Sequence, residues 1–343
     1  MLKTFNSLDY EVTVVMGDRN HRKILYQKLA KKIKDGAKFD YVYVESLSRP
    51  TNSRITKNLP FKLLVRENID FNFLELCQSE GLKVGFYLRD LHWDFKEHMV
   101  EEGLIKRSYL KTVLRHFGKS ELKFLSSSKI EVFTPSTAFS DYIYKHWNLT
   151  STQLPPGAKI KNANLKSLSG DCLNMFYVGG LKGVYRPEVF LKGVVKSKKC
   201  SLTICARAAE HYLIDKFINK NSIKVVVGEG DELNMYFNKS DLGVYLLPPH
   251  GYAKLAHSVK LSEYIAHGLP IIAFNGTHAS EFIKEHRIGW TMPYNSDEVS
   301  KLIDHINRNP KEYAEYQQNV IHIQQEFTWE KVIEKLENKL LKK

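Results

Sequence analysis

The chain has 343 residues, 43% of them hydrophobic and 26% charged, and a net charge of +13. That length allows two domains of ordinary size, each with its own core, and the composition excludes a disordered or fibrous chain. Apolar runs are too short to span a bilayer, and Cys77, Cys172, Cys200 and Cys205 are too few and too scattered for a disulfide scaffold.

In chain order, apolar runs predict strands at residues 11–17, 41–45, 83–88 and 129–134, with helical periodicity between them. That alternation is the pattern of an α/β domain with a parallel sheet. The excess charge sits in this half. Residues 19–38 hold eight Lys/Arg against one acid, and residues 103–130 hold seven against one. Such a basic face calls for an anionic partner, whether lipid, nucleic acid or phosphorylated substrate. A loop signal at Leu154-Pro155-Pro156-Gly157 and a polar stretch to Asp171 mark a domain boundary. Strands are then expected at 174–178, 201–205, 224–227, 242–247, 270–274 and 289–292. Three helices close the chain, the last over about 328–341. The domains read as 1–155, 156–327 and a closing segment 328–343.

Chemistry-bearing residues collect after strands, where α/β sheets bind ligands. In YAKLAHSVKLSEYIAHGLPII, residues 252–272, a helix over about 259–267 is stopped by Gly268 and kept from resuming by Pro270. Its N-terminus offers free N–H groups and a partial positive charge to a phosphate. Lys260 adds a cation, and Glu263 follows on the same face. The plain alternative is a surface helix with a solvated Glu263. Gly179 and Gly180, after the strand at 174–178, let a backbone approach a diphosphate or simply make a turn. In the first half, Arg89, Asp90, His92 and Asp94 follow the strand at 83–88.

The string around Lys260 resembles the donor segment of GT-B glycosyltransferases of the family 4 (group 1) type, approximately P-x-K-L-x-E-Y-x-A-x-G-x-P-V-I. Lys260, Leu261, Glu263, Tyr264, Ala266, Gly268, Pro270 and Ile272 fit it, with Ser258 where proline is frequent. NMFYVGGL at 174–181, SDLGV at 240–244, LPPGA at 154–158, EVFTPS at 131–136 and FTWE at 327–330 resemble further landmarks of that family.

The resemblance implies a GT-B fold, two Rossmann-like doubly wound domains facing a cleft, the N-terminal one for acceptor and the C-terminal one for donor. The closing helix is expected to return to the first domain. Also implied is transfer of a sugar from a UDP- or GDP-sugar to a glycan or polyprenyl-linked acceptor in surface polysaccharide synthesis. Glu263 is then assigned to the ribose hydroxyls. Lys260, Gly179, Gly180 and Arg207 are assigned to the diphosphate, with Arg186 and Lys182 as further cations. His257, Ser258 and Leu261 complete the donor segment. Asp90 is the expected base of an inverting enzyme and His92 a sugar contact.

Leu255 stands where retaining members carry a second acid, so the stereochemical outcome is not implied. No D-x-D motif occurs in a suitable loop, and neither metal nor other cofactor is expected. A basic nucleic-acid-binding protein is disfavoured, because no recognition motif accompanies the charge. A non-catalytic partner subunit stays open through Leu255.

On the helix after Gly103, Arg107, Lys111, Arg115, Lys119 and Lys123 recur every four residues. That ribbon, together with residues 19–38, predicts peripheral binding to an anionic membrane on the cytoplasmic side. Residues 11–17 resemble the second strand of the acceptor domain, whose first strand and glycine turn are then missing. The expectation is a longer reading frame, with Met1 an internal methionine.

Overall fold

Parallel strands flanked by helices build both halves of the chain. The computed structural model describes residues 1–46, 50, 68–99, 104–161, 165–168, 172–197, 199–218 and 223–342. They divide into two compact units, Met1–Leu154 with Ile333–Lys343, and Pro155–Val332. Among the described residues, no helix is long and apolar enough to cross a membrane.

In the first unit, α1 (Leu2–Ser7) and α2 (Arg19–Lys34) precede β1 (Tyr41–Glu45). Then come α3 (Ile69–Ser79), β2 (Lys83–Tyr87), α4 (Leu104–Ser127), β3 (Glu131–Thr134), α5 (Thr137–Trp147) and β4 (Thr152–Gln153). The strands pair in parallel in the order β1-β2-β3-β4. The two-residue β4 was too short to show in the sequence pattern.

The strand expected at residues 11–17 is not formed. Val12, Val14 and Met16 are exposed, and residues 11–16 make no backbone hydrogen bond to another described residue. Alternating apolar residues supply a strand's pattern, but a strand exists only through its ladder.

In the second unit the order is β5 (Leu173–Val178), α6 (Glu188–Lys196), β6 (Cys200–Cys205), β7 (Ile223–Val226), α7 (Asn234–Lys239) and β8 (Leu242–Tyr245). It continues with α8 (Val259–Ala266), β9 (Ile271–Phe274), α9 (His278–His286), β10 (Gly289–Met292), α10 (Ser296–Arg308) and α11 (Pro310–Ile323). Helix α12 (Trp329–Leu341) closes the chain, and its residues from Ile333 onward belong to the first unit. All six expected strands form, displaced by at most two residues at their ends. They pair in parallel as β10-β9-β8-β5-β6-β7. Read from β7, this is the 3-2-1-4-5-6 order of a doubly wound dinucleotide-binding sheet. Its direction of winding reverses between β5 and β8, so ligands are expected at their carboxyl ends.

Both faces of this sheet are covered, which explains why its inner strands β8 and β9 are buried at every residue. Phe190, Leu191, Val194, Ile303 and Ile306 pack on one face, and Leu261, Tyr264, Ile265, Phe282, Ile283 and Val320 on the other. Each fully buried aliphatic or aromatic side chain contributes roughly 1.5–3 kcal/mol. Thus α8 is held by Leu261, Tyr264 and Ile265 beneath it, which leaves Lys260 and Glu263 on its other side.

Candidate functional site

The site is built on the reversal between β5 and β8. After Val178 the chain turns through Gly179, whose φ of +140° favours glycine. The Gly179 N–H donates to the Cys205 carbonyl, and the Leu181 N–H donates to Glu210 Oε2 at 2.6 Å. The Gly180 N–H between them has no acceptor among the described residues, so it remains available to a ligand.

Helix α8 begins over the same turn. The Ser258 hydroxyl accepts from the Lys260 N–H at 3.3 Å, an N-cap that fixes the first turn. The helix ends at Ala266, and Gly268 follows with φ +67°. Lys260 reaches back to the glycine turn: a Cβ on Gly179 would stand 2.4 Å from its Nζ. That Nζ donates to the Tyr177 hydroxyl at 3.3 Å. It also lies 4.0 Å from the Tyr185 ring centroid. A lysine, a free N–H and a helix N-terminus thus meet at one point, the combination that binds a phosphate anion.

Arg207 is held nearby through Glu210. Its guanidinium lies 3.1 Å from Glu210 Oε1, and its own side chain is 82% exposed while that of Glu210 is 9% exposed. Glu210 therefore ties Arg207 to the glycine turn. Sequence reasoning missed this carboxylate, because nothing in its spacing marks the contact with Leu181.

Glu263 occupies a separate neighbourhood one turn on. Its half-buried carboxylate has no hydrogen-bond partner among the described residues. Burial pushes its pKa above the usual carboxylate range, against a smaller opposing effect of Lys161. An unpartnered, partly desolvated carboxylate gains by accepting hydroxyl donors.

Two residues of the expected donor segment are buried in the chain itself. Leu261 is fully buried, and His257 is 6% exposed. His257 Nδ1 lies 3.1 Å from His278 Nε2, and its ring stacks with Phe327 and meets Phe282 edge-on. Leu255, where an acid is frequent, is 7% exposed.

In the first unit, Asp90 and His92 lie just beyond β2. Asp90 Oδ1 stands 3.5 Å from His92 Nε2, and Oδ2 stands 3.6 Å from Arg89 Nε. The Arg89 N–H is fixed by the Ser46 hydroxyl at 2.9 Å. A carboxylate beside an imidazole is an arrangement suited to accepting a proton. Asp94 serves structure here: it accepts from the Tyr142 hydroxyl at 2.8 Å and pairs with Arg115 at 3.7 Å.

Solved structures share this architecture over the whole chain. HepE from Anabaena, in complex with UDP and glucose, superimposes with a TM-score of 0.63 at 14% identity, covering 100% of this chain and 89% of that one. Sucrose-phosphate synthase from Thermosynechococcus elongatus gives 0.62 at 14%, covering 97% and 87%. WaaG, a glycosyltransferase involved in lipopolysaccharide biosynthesis, gives 0.58 at 14%, covering 95% and 96%. The fold is the GT-B fold of glycosyltransferases. Within it, residues 248–339 match the family described as glucosyltransferase 3-like, C-terminal domain. No curated protein matches the sequence.

Proposed function

We propose that the protein is a hexosyltransferase that takes a sugar from a nucleotide-sugar donor, UDP-glucose being the first to test. The observation carrying this reading is the meeting of Lys260, the free Gly180 N–H and the N-terminus of α8 at the sheet's reversal point. The matched glucosyltransferase 3-like segment contains Lys260 and Glu263, and the HepE structure holds UDP and glucose.

In this reading Lys260 and the turn balance the charge of the departing diphosphate, Glu263 receives the ribose hydroxyls, and Asp90 with His92 serves the sugar and acceptor side. Arg207 stands as a second cation. No metal is included, so turnover should persist in a chelator. The acceptor is a glycan or polyprenyl-linked sugar of a surface polysaccharide.

Glu263→Ala is expected to weaken UDP binding by about 1.5–3 kcal/mol, the worth of hydrogen bonds to a charged group. Calorimetry with wild type and variant checks this, and equal affinities in two folded proteins would remove Glu263 from the site. Release of glucose from UDP-glucose separates an enzyme from a non-catalytic subunit, the alternative that Leu255 keeps open.

A peripheral cytoplasmic location on anionic lipid accompanies the proposal. Lys23, Lys28, Lys31, Lys32 and Lys34 of α2 are exposed, as is Ile24 at 52%. On α4, by contrast, Arg115 is engaged by Asp94 and Lys119 lies 6.0 Å from the Trp147 ring. Each lysine near such a surface contributes roughly 1 kcal/mol, less at high salt. Sedimentation with anionic vesicles should be lost on charge reversal of Lys28, Lys31 and Lys32. Binding indifferent to lipid charge and salt would contradict it.

A further inference from the structure

The ammonium of Lys260 is carried on a flexible four-carbon stem, yet the structure fixes it. It makes no ion pair among the described residues. Its surroundings are two tyrosines: the Tyr185 ring centroid is 4.0 Å away and the Tyr177 ring centroid 4.9 Å. The Tyr177 hydroxyl donates to the Gly180 carbonyl and accepts from Lys260. It therefore links the ammonium to the glycine turn. Tyr185 also lies along that turn, since a Cβ on Gly180 would stand 3.6 Å from its ring.

An aromatic face holds a cation without neutralising it. A carboxylate in the same place would cancel the charge that an incoming anion needs. Two rings and one hydroxyl thus keep the lysine in one position, with its full charge directed at the turn where the Gly180 N–H is free. Ordering a lysine costs up to about 2 kcal/mol of side-chain entropy. A site that orders it beforehand removes that cost from ligand binding.

We infer that Tyr185, with Tyr177, is a positioning residue that presents the Lys260 ammonium to the diphosphate of the nucleotide. This rests on the nucleotide-sugar reading of the site. Tyr177 is fully buried in β5, so its replacement would disturb the core. Tyr185 is half-buried and is the residue to vary.

The experiment measures UDP and GDP affinity by calorimetry, with uridine and guanosine as phosphate-free controls. In Tyr185→Leu, affinity for the nucleoside diphosphate that wild type binds should fall about 3- to 30-fold, the range of a partly desolvated cation–π contact. Affinity for the matching nucleoside should be unchanged. Tyr185→Phe keeps the ring and should restore the affinity. In a Lys260→Met background, Tyr185→Leu should have no further effect, as expected of two residues acting through one interaction. Wild type that binds neither nucleotide would overturn the reading of the site, and the inference with it. Wild type that binds while Tyr185→Leu is unchanged would overturn the inference alone. So would an equal loss for the nucleoside, or an undiminished loss in the Lys260→Met background.

Discussion

Gly243→Ala is expected to destabilise the second unit by about 3 kcal/mol, the upper end of overpacking costs. A Cβ at this position of β8 would stand 2.4 Å from Tyr264 Cγ, and 2.5 and 2.8 Å from the two Cδ atoms. These are the base of a fully buried ring, not a movable end. The Tyr264 hydroxyl donates to the Val244 carbonyl at 2.9 Å and accepts from the Val178 N–H at 3.4 Å, which pins the ring from its far side. To admit one methyl group, α8 must lift from the sheet, and Lys260 rises with it. The midpoint of thermal unfolding should fall by about 6–12 °C, at 2–4 °C per kcal/mol for a unit of this size, and UDP affinity should fall with it. Calorimetry of Gly243→Ala beside Gly228→Ala checks this, because a Cβ on Gly228 makes only ordinary contacts at 3.5 Å. Equal transitions for the two variants would show that the ring has room.

The second large effect is acid lability. His257 Nδ1 and His278 Nε2 are 3.1 Å apart, so one ring donates and the other, which must be neutral, accepts. Burial, then the neighbouring His278, pushes the His257 pKa down to about 3, and burial pushes His278 down to about 4. An unfolded histidine titrates near 6.5. Below that pH the unfolded chain binds protons that the folded chain refuses, so stability is complete above about 6.5 and is lost as pH falls toward 3–4. At pH 5.5 each histidine has given up about 1.4 kcal/mol, or about 3 kcal/mol for the pair. Urea unfolding at pH 7.5 and 5.5 measures the slope. His278→Gln should remove about half of the pair's share, and an unchanged slope would assign the titration to other groups.

The second sheet was legible because its inner strands β8 and β9, buried on both faces, leave apolar runs, and Gly268 with Pro270 ended α8 where the pattern said. Residues 11–17 show the limit of that reasoning. Their alternation is a strand's, but pairing is a property of two segments, and one segment cannot declare it. The site was legible in part. Lys260 and Gly179 were read from a helix start and a turn and joined only through the family resemblance, and folding brings them together. Tyr185 and Glu210 carry no mark in the sequence. What defines them is distance to Lys260 and to the Leu181 N–H, and neither contact follows from spacing. His257 shows the converse: a polar residue beside a helix start reads as a ligand contact until its burial is known.

Placing β5 in the middle of its sheet has a consequence during synthesis. On one side β5 pairs with β6, which follows soon after it, whereas its other partner is β8. Val178 leaves the ribosome about 64 residues before Leu242, or roughly 3–13 s at 5–20 residues per second. Throughout that interval one edge of a strand with four of its six residues buried is open. The nascent chain is then most exposed to wrong strand pairing, and slower translation between β7 and β8 would lengthen the exposure rather than aid folding.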